Sequence, residues 1–220
     1  MRSKILILII LVSCFFYACA DKNKSFVEAL ESCDAAAIEK ALKEGADPNM
    51  NIENITPLNA AIICKSEKVA EVLLKAGANP NEVDADGWGI LSYAAGKKGN
   101  SGVVKQLLAA GANINPPKGC IALMSAIVGD VEIETLQMLI KAGVDPNTAC
   151  VGKSDRFPFL NLVIVNRGND KEAVLLLLNA GADISVKDRK GRTALMLAEE
   201  KGYNEIAEII KTFQKSAGKK

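Results

Sequence analysis

The sequence predicts an all-α solenoid of helix-turn-helix units stacked side by side. A five-residue phrase recurs along the 220-residue chain: glycine, a small apolar residue, Asx, a variable residue, then asparagine or serine. Its five copies begin at glycines that are 32, 34, 32 and 38 residues apart, at 45–49, 77–81, 111–115, 143–147 and 181–185. A period in this range is typical of repeat proteins, in which each unit buries its apolar face against its neighbours.

Each copy of the phrase predicts the end of a helix. It follows an apolar run at helical spacing, such as the run over 69–76. Glycine just past a helix can adopt a positive φ without a Cβ clash, and the proline found in three of the copies cannot continue a helix.

Composition supports stacked small helices and excludes several classes of function. Aromatic residues make up 5% of the chain, which suits closely approaching helices better than one large core. With 27 Lys and Arg against 26 Asp and Glu, the net charge of +1 argues against a nucleic-acid binder. Histidine is absent, so the usual general base and the commonest metal ligand are missing. We therefore expect no enzyme activity, no cofactor and no metal.

Residues 1–18 have the pattern of a signal peptide. Two basic residues, Arg2 and Lys4, precede 14 mostly apolar residues. This run is shorter than the about 20 residues that a membrane-spanning helix needs. The pattern predicts export of the chain.

Two cysteines near the end of the leader resemble the lipidated cysteine of bacterial lipoproteins. We favour Cys19 over Cys14, because cleavage at Cys14 would leave the apolar residues 15–17 exposed, whereas Cys19 lies where the sequence becomes polar. In this interpretation 19–24 comprise the lipidated cysteine and a short tether. The expected location is the cell envelope, on a membrane facing the periplasm or the cell surface.

Two alternatives to lipidation stay open at this point. Cleavage after Ala20, a small-x-small site, would give a soluble secreted protein. An uncleaved leader would itself act as the anchor.

The repeating part of the chain extends over 25–212 and divides into six units. Residues 213–220 have no apolar period and are predicted to be a flexible tail. The units are an N-terminal cap at 25–49, four units at 50–81, 82–115, 116–147 and 148–185, and a C-terminal cap at 186–212.

The second unit carries the most specific motif. It contains Thr-Pro-Leu-Asn-Ala-Ala at 56–61, then Leu-Leu-x-x-Gly-Ala at 73–78 and Asn-Pro-Asn at 79–81. This combination resembles the ankyrin repeat, and the resemblance covers 25–212. It implies helical hairpins with projecting β-hairpin-like turns, and binding of another protein through the concave face and the turn tips.

The sequence departs from the family at one position. The family's histidine after Thr-Pro-Leu is replaced in each unit, so the resemblance implies that the threonine–histidine hydrogen bond of these turns is largely lost. The replacing residues are Asn59, Ser92, Met124, Leu160 and Met196.

The expected function is that of a monomeric, membrane-tethered adaptor or scaffold. A dedicated inhibitor or protective partner of an exported enzyme or toxin is the alternative, and a thiol- or carboxylate-based enzyme is a remote one. The variable turn positions of the family supply the candidate contact residues, which are Ile52, Glu53, Ile55, Asp86, Trp88, Lys118, Lys153, Arg156, Arg189 and Arg192.

Two features of these turns have alternative interpretations. Trp88, the only tryptophan, is either an anchor for a partner or local packing over the neighbouring turn. The basic residues of 187–192, with Lys153 and Arg156, are either a solvated loop or a docking site for an acidic partner or anionic headgroups.

Four cysteines lie within the repeats. No C-x-x-C motif occurs, which argues against a zinc site. Cys33 could pair with Cys64, and Cys120 with Cys150, since each pair lies on neighbouring units. Helices pack about 8–10 Å apart, beyond the about 7 Å limit for the Cα atoms of a disulfide, so we favour unpaired thiols.

Overall fold

A computed structural model describes residues 21–51, 55–84, 87–114, 122–147 and 158–217. The described residues fold into helices that follow one another in pairs. The chain divides into two compact units, Met1–Asn79 and Pro80–Lys220. No helix in the described ranges combines the length and the apolar character needed to cross a membrane.

In its described residues the first unit contains two helical hairpins. Helix α1 packs against α2 and α3, and α4 packs against α2 and α3. Phe26, Ile38, Leu58 and Leu73 are fully buried between them. The helices are α1 (Asp21–Ser32), α2 (Ala35–Lys43), α3 (Pro57–Cys64) and α4 (Glu67–Lys75).

The second unit contains four hairpins arranged in two layers. The first helices α5, α7, α9 and α11 contact one another in sequence, and the second helices α6, α8, α10 and α12 do the same. Their bounds are α5 (Ile90–Ala95), α6 (Ser101–Ala109), α7 (Ala122–Val128), α8 (Ile133–Lys141), α9 (Phe159–Asn166), α10 (Lys171–Asn179), α11 (Ala194–Glu200) and α12 (Asn204–Ala217). The predicted all-α fold of stacked helical hairpins is confirmed.

The recurring phrase ends the second helix of the first five hairpins, as predicted. Its five glycines all have positive φ, between 80° and 97°. At Gly77 the backbone N–H donates to Leu74 O at 3.1 Å, and the N–H of Ala78 donates to Leu73 O at 3.0 Å. These two bonds satisfy carbonyls at the end of α4 that would otherwise lack partners.

The last asparagine of the phrase has a second role that the sequence did not reveal. The Asn49 side chain donates to Gly77 O at 2.9 Å and accepts from the Asn79 N–H at 2.7 Å, which ties one hairpin to the next. Asn147 makes the same pair of bonds to Gly181 and Asp183, at 2.9 and 2.8 Å. One amide side chain therefore sets the spacing between neighbouring hairpins.

Both ends of the described chain differ from the sequence expectation. Helix α1 begins at Asp21, so residues 21–24 of the expected tether are helical. Helix α12 continues to Ala217, through the first part of the expected tail. Neither stretch contains glycine or proline, and the half-buried Phe213 gives the last turns of α12 an apolar contact. The signal peptide with Cys14 and Cys19 lies outside the described residues.

The histidine position of the fifth predicted unit is shifted by one residue. Pro158 is the N-cap of α9, so Asn161 rather than Leu160 corresponds to Asn59. Both asparagine side chains donate a hydrogen bond at this position. Asn59 Nδ2 donates to Thr56 Oγ1 at 3.1 Å, and Asn161 Nδ2 donates to Arg192 O at 3.0 Å. In these two units an asparagine therefore supplies a side-chain hydrogen bond in place of the family's histidine.

Cys33 and Cys64 form a disulfide, which corrects the expectation of unpaired thiols. Their Cα atoms are 5.8 Å apart. The geometric objection used the distance between helix axes, but both residues lie at the ends of first helices, where side chains project toward the neighbouring turn. Cys120 and Cys150 lie outside the described residues.

Candidate protein-interaction surface

The first helices of the second unit expose apolar side chains to solvent. One such residue lies on each helix: Tyr93 is 39% exposed, Val128 54%, Val165 44% and Met196 51%. We call these four residues the apolar row. Because α5, α7, α9 and α11 pack side by side, the row follows one layer of the unit from its first hairpin to its last.

The row was not predicted from the sequence. Val128 and Val165 follow runs of small and apolar residues that are mostly buried. Residue type alone therefore does not distinguish these two valines from core residues. The available signal is position: each is the last or next-to-last residue of its first helix. Ile63 on α3 of the first unit occupies the same position and is 42% exposed.

A hairpin-like turn precedes α5 and fixes Trp88. Val83 and Gly89 form an antiparallel bridge, and the Asp84 N–H donates to Trp88 O at 3.0 Å. Asp84 Oδ1 accepts from the Trp88 N–H at 2.8 Å, while Asp84 Oδ2 accepts from the Tyr93 hydroxyl. One carboxylate therefore holds the turn against the first residue of the apolar row.

The two aromatic rings of this turn are in contact. The centroids of Trp88 and Tyr93 are 6.2 Å apart with their planes tilted by 38°, within the range for a favourable aromatic pair. Local packing of Trp88 is therefore present. The ring is still half-buried rather than buried, and its role as an anchor for a partner stays a prediction.

The turn before α11 has the same pattern of hydrogen bonds between an aspartate and the residue four positions later. Asp188 Oδ1 accepts from the Arg192 N–H at 2.9 Å, and the Asp188 N–H donates to Arg192 O at 2.9 Å. The guanidinium binds Asp188 Oδ2 at 2.8 Å and Glu200 Oε2 at 2.9 Å. Burial alone would raise the pKa of Asp188, but its bonds to Arg192 and Lys190 outweigh burial and lower it.

This pairing changes the interpretation of the basic end. The charge of Arg192 is balanced by two carboxylates, and these bonds stabilise the turn; its role as a contact residue stays a prediction. Arg189, Lys187 and Lys190 remain exposed in the same turn. The described part of the basic surface is thus smaller than the sequence suggested.

The remaining candidate contact residues divide by their position. Ile55 is half-buried just before α3. Trp88 lies in the turn before the first hairpin of the second unit, and Arg189 in the turn before its last hairpin. The other candidates lie outside the described residues: Ile52, Glu53, Asp86, Lys118, Lys153 and Arg156.

The described residues do not suggest a metal site. No cluster of three or more Cys, Asp or Glu side chains within them is placed to hold an ion. The Asp84 carboxylate, part of a sequence that begins like a calcium loop, instead accepts bonds from its own turn.

The family model of ankyrin repeats (three copies) matches residues 76–150, and the single ankyrin repeat matches residues 53–85. The chain carries ankyrin repeats. The resemblance seen in the motif at 56–61 is thereby confirmed, and the hairpins described above are ankyrin-type units.

Two curated relatives align with this chain over very different shares of their own length. The nuclear factor NF-kappa-B p105 subunit of Gallus gallus is 34% identical over 178 residues, which make up 74% of this chain and 18% of that protein. The ankyrin repeat protein YahD of Escherichia coli (strain K12) is 24% identical over 200 residues, 84% of this chain and 93% of that protein. The chain therefore spans less than a fifth of the first relative.

Solved structures share the fold. The ankyrin repeat domain ABAYE2397 from Acinetobacter baumannii AYE superposes with a TM-score of 0.73 at 28% identity, covering 85% of this chain and 96% of that one. The ankyrin repeat fold is therefore common to both proteins.

Proposed function

We propose that this ankyrin-repeat protein binds another protein through the apolar row, as an exported adaptor or scaffold. The observation that carries the proposal is the exposure of one apolar side chain on each first helix of the second unit. Single exposed apolar residues are ordinary on soluble proteins, but a continuous apolar surface marks an interaction site.

The geometry of the layer suits a long partner surface. Val128 and Val165 lie at the ends of α7 and α9, which pack in direct contact, while Tyr93 and Met196 lie farther from the ends of α5 and α11. Buried residues such as Leu123 and Val163 support these helices, and Asn147 ties the α7–α8 hairpin to the α9–α10 hairpin. A surface that is ordered before binding loses little conformational entropy when a partner binds.

An aromatic pair, Trp88 and Tyr93, lies at one end of the apolar row. Trp88 and Tyr93 are both accessible in part, and Asp84 restrains both of them. Tryptophan and tyrosine contribute strongly to binding when a partner buries them. We expect this end to supply the largest share of the binding free energy.

Site-specific photocrosslinking tests the proposal. A photoreactive residue at position 128 or 165 should capture a partner in the native cells, since both positions lie in the apolar row. The matched controls are positions 137 and 175, which are exposed on the second helices α8 and α10 of the same two hairpins. Equal capture from both layers, or no capture from either, would refute the proposal.

The number of captured proteins separates the two candidate roles. Several partners would favour an adaptor or scaffold. A single partner would favour a dedicated inhibitor or protective partner. Neither outcome depends on where in the cell the protein resides.

We further propose that the protein is exported and lipid-anchored through Cys19, with a soluble secreted form as the alternative. The leader pattern of 1–18 supports export, and the Cys33–Cys64 disulfide fits an oxidising compartment. Labelling cells with a radioactive fatty acid tests the anchor. Cys19→Ser should abolish the label, and the control Cys14→Ser should leave it. The reverse pattern would assign the lipid to Cys14, and no label in the unmutated chain would favour cleavage after Ala20.

A further inference from the structure

The turn between the two helices of each hairpin has a left-handed residue. Four such turns use glycine or aspartate, and the second hairpin uses lysine: φ is 85° at Gly99, 47° at Asp130, 65° at Gly168, 72° at Gly202 and 51° at Lys65. Glycine tolerates this conformation without strain, and aspartate tolerates it better than most residues. The first hairpin places Cys33 there, with φ at 59°.

Cysteine is less suited than glycine to this backbone conformation, as is Lys65 in the second hairpin. The turn residue of the first hairpin differs from Lys65 in being tied covalently to Cys64, which ends the first helix of the next hairpin. Because the two cysteines are separated by 31 residues along the chain, the bond joins separate hairpins rather than closing a local turn.

The first hairpin has few other attachments. A terminal repeat has only one neighbour, so it is held by a single interface. Among the described residues that interface includes buried apolar side chains and the two bonds of Asn49 described above. The buried apolar residues of the hairpin are Phe26, Ala29, Ile38, Ala41 and Ala46.

The disulfide is accessible from one side. Cys33 is exposed, whereas Cys64 is half-buried, with its sulfur 3.9 Å from Leu30 O. An approaching thiolate therefore meets Cys33 with less hindrance. Its attack on Cys33 Sγ breaks the sulfur–sulfur bond and releases Cys64 as a thiolate, which takes a proton from water.

A second thiol of the reductant then attacks the reductant's own sulfur in the mixed disulfide with Cys33. This step releases the Cys33 thiol and leaves the reductant oxidised, so two electrons and two protons pass from the dithiol to the protein. The reductant class is a dithiol, either a small molecule or a dithiol oxidoreductase.

We propose that the Cys33–Cys64 bond is a redox-controlled lock on the first hairpin. In the oxidised state it holds α1 and α2 against α3 and α4. When a dithiol reduces it, the first hairpin opens while the second unit stays folded. This lock does not depend on the partner-binding proposal.

Hydrogen–deuterium exchange of the full chain, purified in detergent, tests the lock. The background carries Cys120→Ser and Cys150→Ser, so that no other pair of repeat cysteines responds to reduction. Dithiothreitol should accelerate exchange in α2 by about 100-fold, the order expected for loss of a disulfide that closes a loop of this length. Exchange in α8, in the second unit, is the internal reference and should change little.

Cys33→Gly separates the lock from ordinary turn chemistry. Glycine suits the left-handed turn better than cysteine, so turn chemistry alone predicts slower or equal exchange in α2. The lock predicts exchange as fast as in the reduced protein, with no further effect of dithiothreitol. Cys64→Ser, which leaves the turn residue unchanged, should give the same result.

Three results would overturn the proposal. One is unchanged exchange in α2 after reduction. Another is improved protection of α2 in Cys33→Gly. The third is equal acceleration in α2 and α8, because this would make the bond a source of global stability rather than a local lock.

Discussion

The first and second helices of the second unit bury similar side chains but present different surfaces to solvent. Leu123 on α7 and Leu139 on α8 are both fully buried. On the solvent side, each first helix exposes one residue of the apolar row, whereas the second helices expose mainly polar residues, some of which pair across hairpins, together with Leu175. Gln137 Nε2 donates to Glu172 Oε1 at 3.3 Å, and Lys171 binds Glu205 at 2.9 Å.

This difference separates stability from binding. Both layers supply the core, so both contribute to folding. The paired polar surface of the second helices gives solubility without needing a partner. In the apolar row Tyr93 bonds to Asp84, whereas Val128, Val165 and Met196 have apolar side chains, and their burial by another protein would be favourable. We expect substitutions at these buried and exposed contacts to have effects that decrease in the following order.

The largest effect is expected at the closest approach within the first-helix layer. A Cβ added at Gly129 would lie 2.3 Å from Gly96 O and 2.8 Å from Gly96 C, both backbone atoms that cannot move alone. Gly129→Ala should therefore lower the free energy of unfolding by about 2–3 kcal/mol, as overpacking does. Urea denaturation measures this. In the control Gly89→Ala the nearest atom, Glu82 O, lies at 3.8 Å, so its effect should be much smaller.

The next effect concerns a buried cation between two hairpins. The Arg167 side chain is 7% exposed; its guanidinium donates to Val131 O at 2.8 Å and to Asp170 Oδ2 at 2.8 Å. Arg167→Met leaves both acceptors without this donor, and we expect a loss of about 2 kcal/mol in thermal or urea unfolding. Lys171→Met breaks only the exposed pair with Glu205 and should cost less than about 1 kcal/mol. Equal losses in the two variants would contradict this account of Arg167.

A smaller effect is expected from the asparagine that spaces the hairpins. Asn147→Ala removes the bonds to Gly181 and Asp183, which are exposed, so the loss should be about 1 kcal/mol. Asn179→Ala, at an exposed position on α10, serves as the control and should be neutral or slightly stabilising. A neutral result for Asn147→Ala in urea denaturation would mean that these bonds do not fix the spacing.

The smallest effect is the pH dependence of an exposed ion pair on the second helix α4. Hydrogen bonds from Lys75 and Lys68 lower the pKa of Glu71 to about 2. Since the folded pKa lies below the ordinary value, the stabilisation is present above pH 4.5 and is lost as the pH falls toward 2. Glu71→Gln should remove this part of the acid sensitivity, and added salt should weaken it in the unmutated chain. Identical acid unfolding curves for both proteins would refute the pairing.

The sequence was sufficient for the fold because its strongest signals are local. The glycine of the repeated phrase adopts positive φ and ends helices such as α4, as its lack of a Cβ predicts. The helical period of the apolar residues in α4 likewise predicts which of them are buried. Such features depend on neighbours along the chain, which a sequence displays directly.

Features that depend on contacts between hairpins were missed or misjudged. The Cys33–Cys64 bond was disfavoured because a distance between helix axes does not give the distance between residues at helix ends. The histidine position of the fifth unit was assigned to Leu160, one residue too early, because Phe-Pro at 157–158 resembles the Thr-Pro at the start of α3. The bonds of Arg192 to Asp188 and Glu200 were likewise not visible in the sequence, and its role as a contact residue stays a prediction.

The central claim is that the apolar row binds a protein, and the affinity of a partner captured by photocrosslinking tests it most directly. Val165→Glu places a charge in the row, while Leu175→Glu makes the same kind of change on α10 of the same hairpin, where Leu175 is 36% exposed. Titration calorimetry should show affinity lowered at least about tenfold by Val165→Glu, since burying an unpaired charge is unfavourable, and little changed by Leu175→Glu. Equal affinities of the two folded variants, or a greater loss in Leu175→Glu, would contradict the claim.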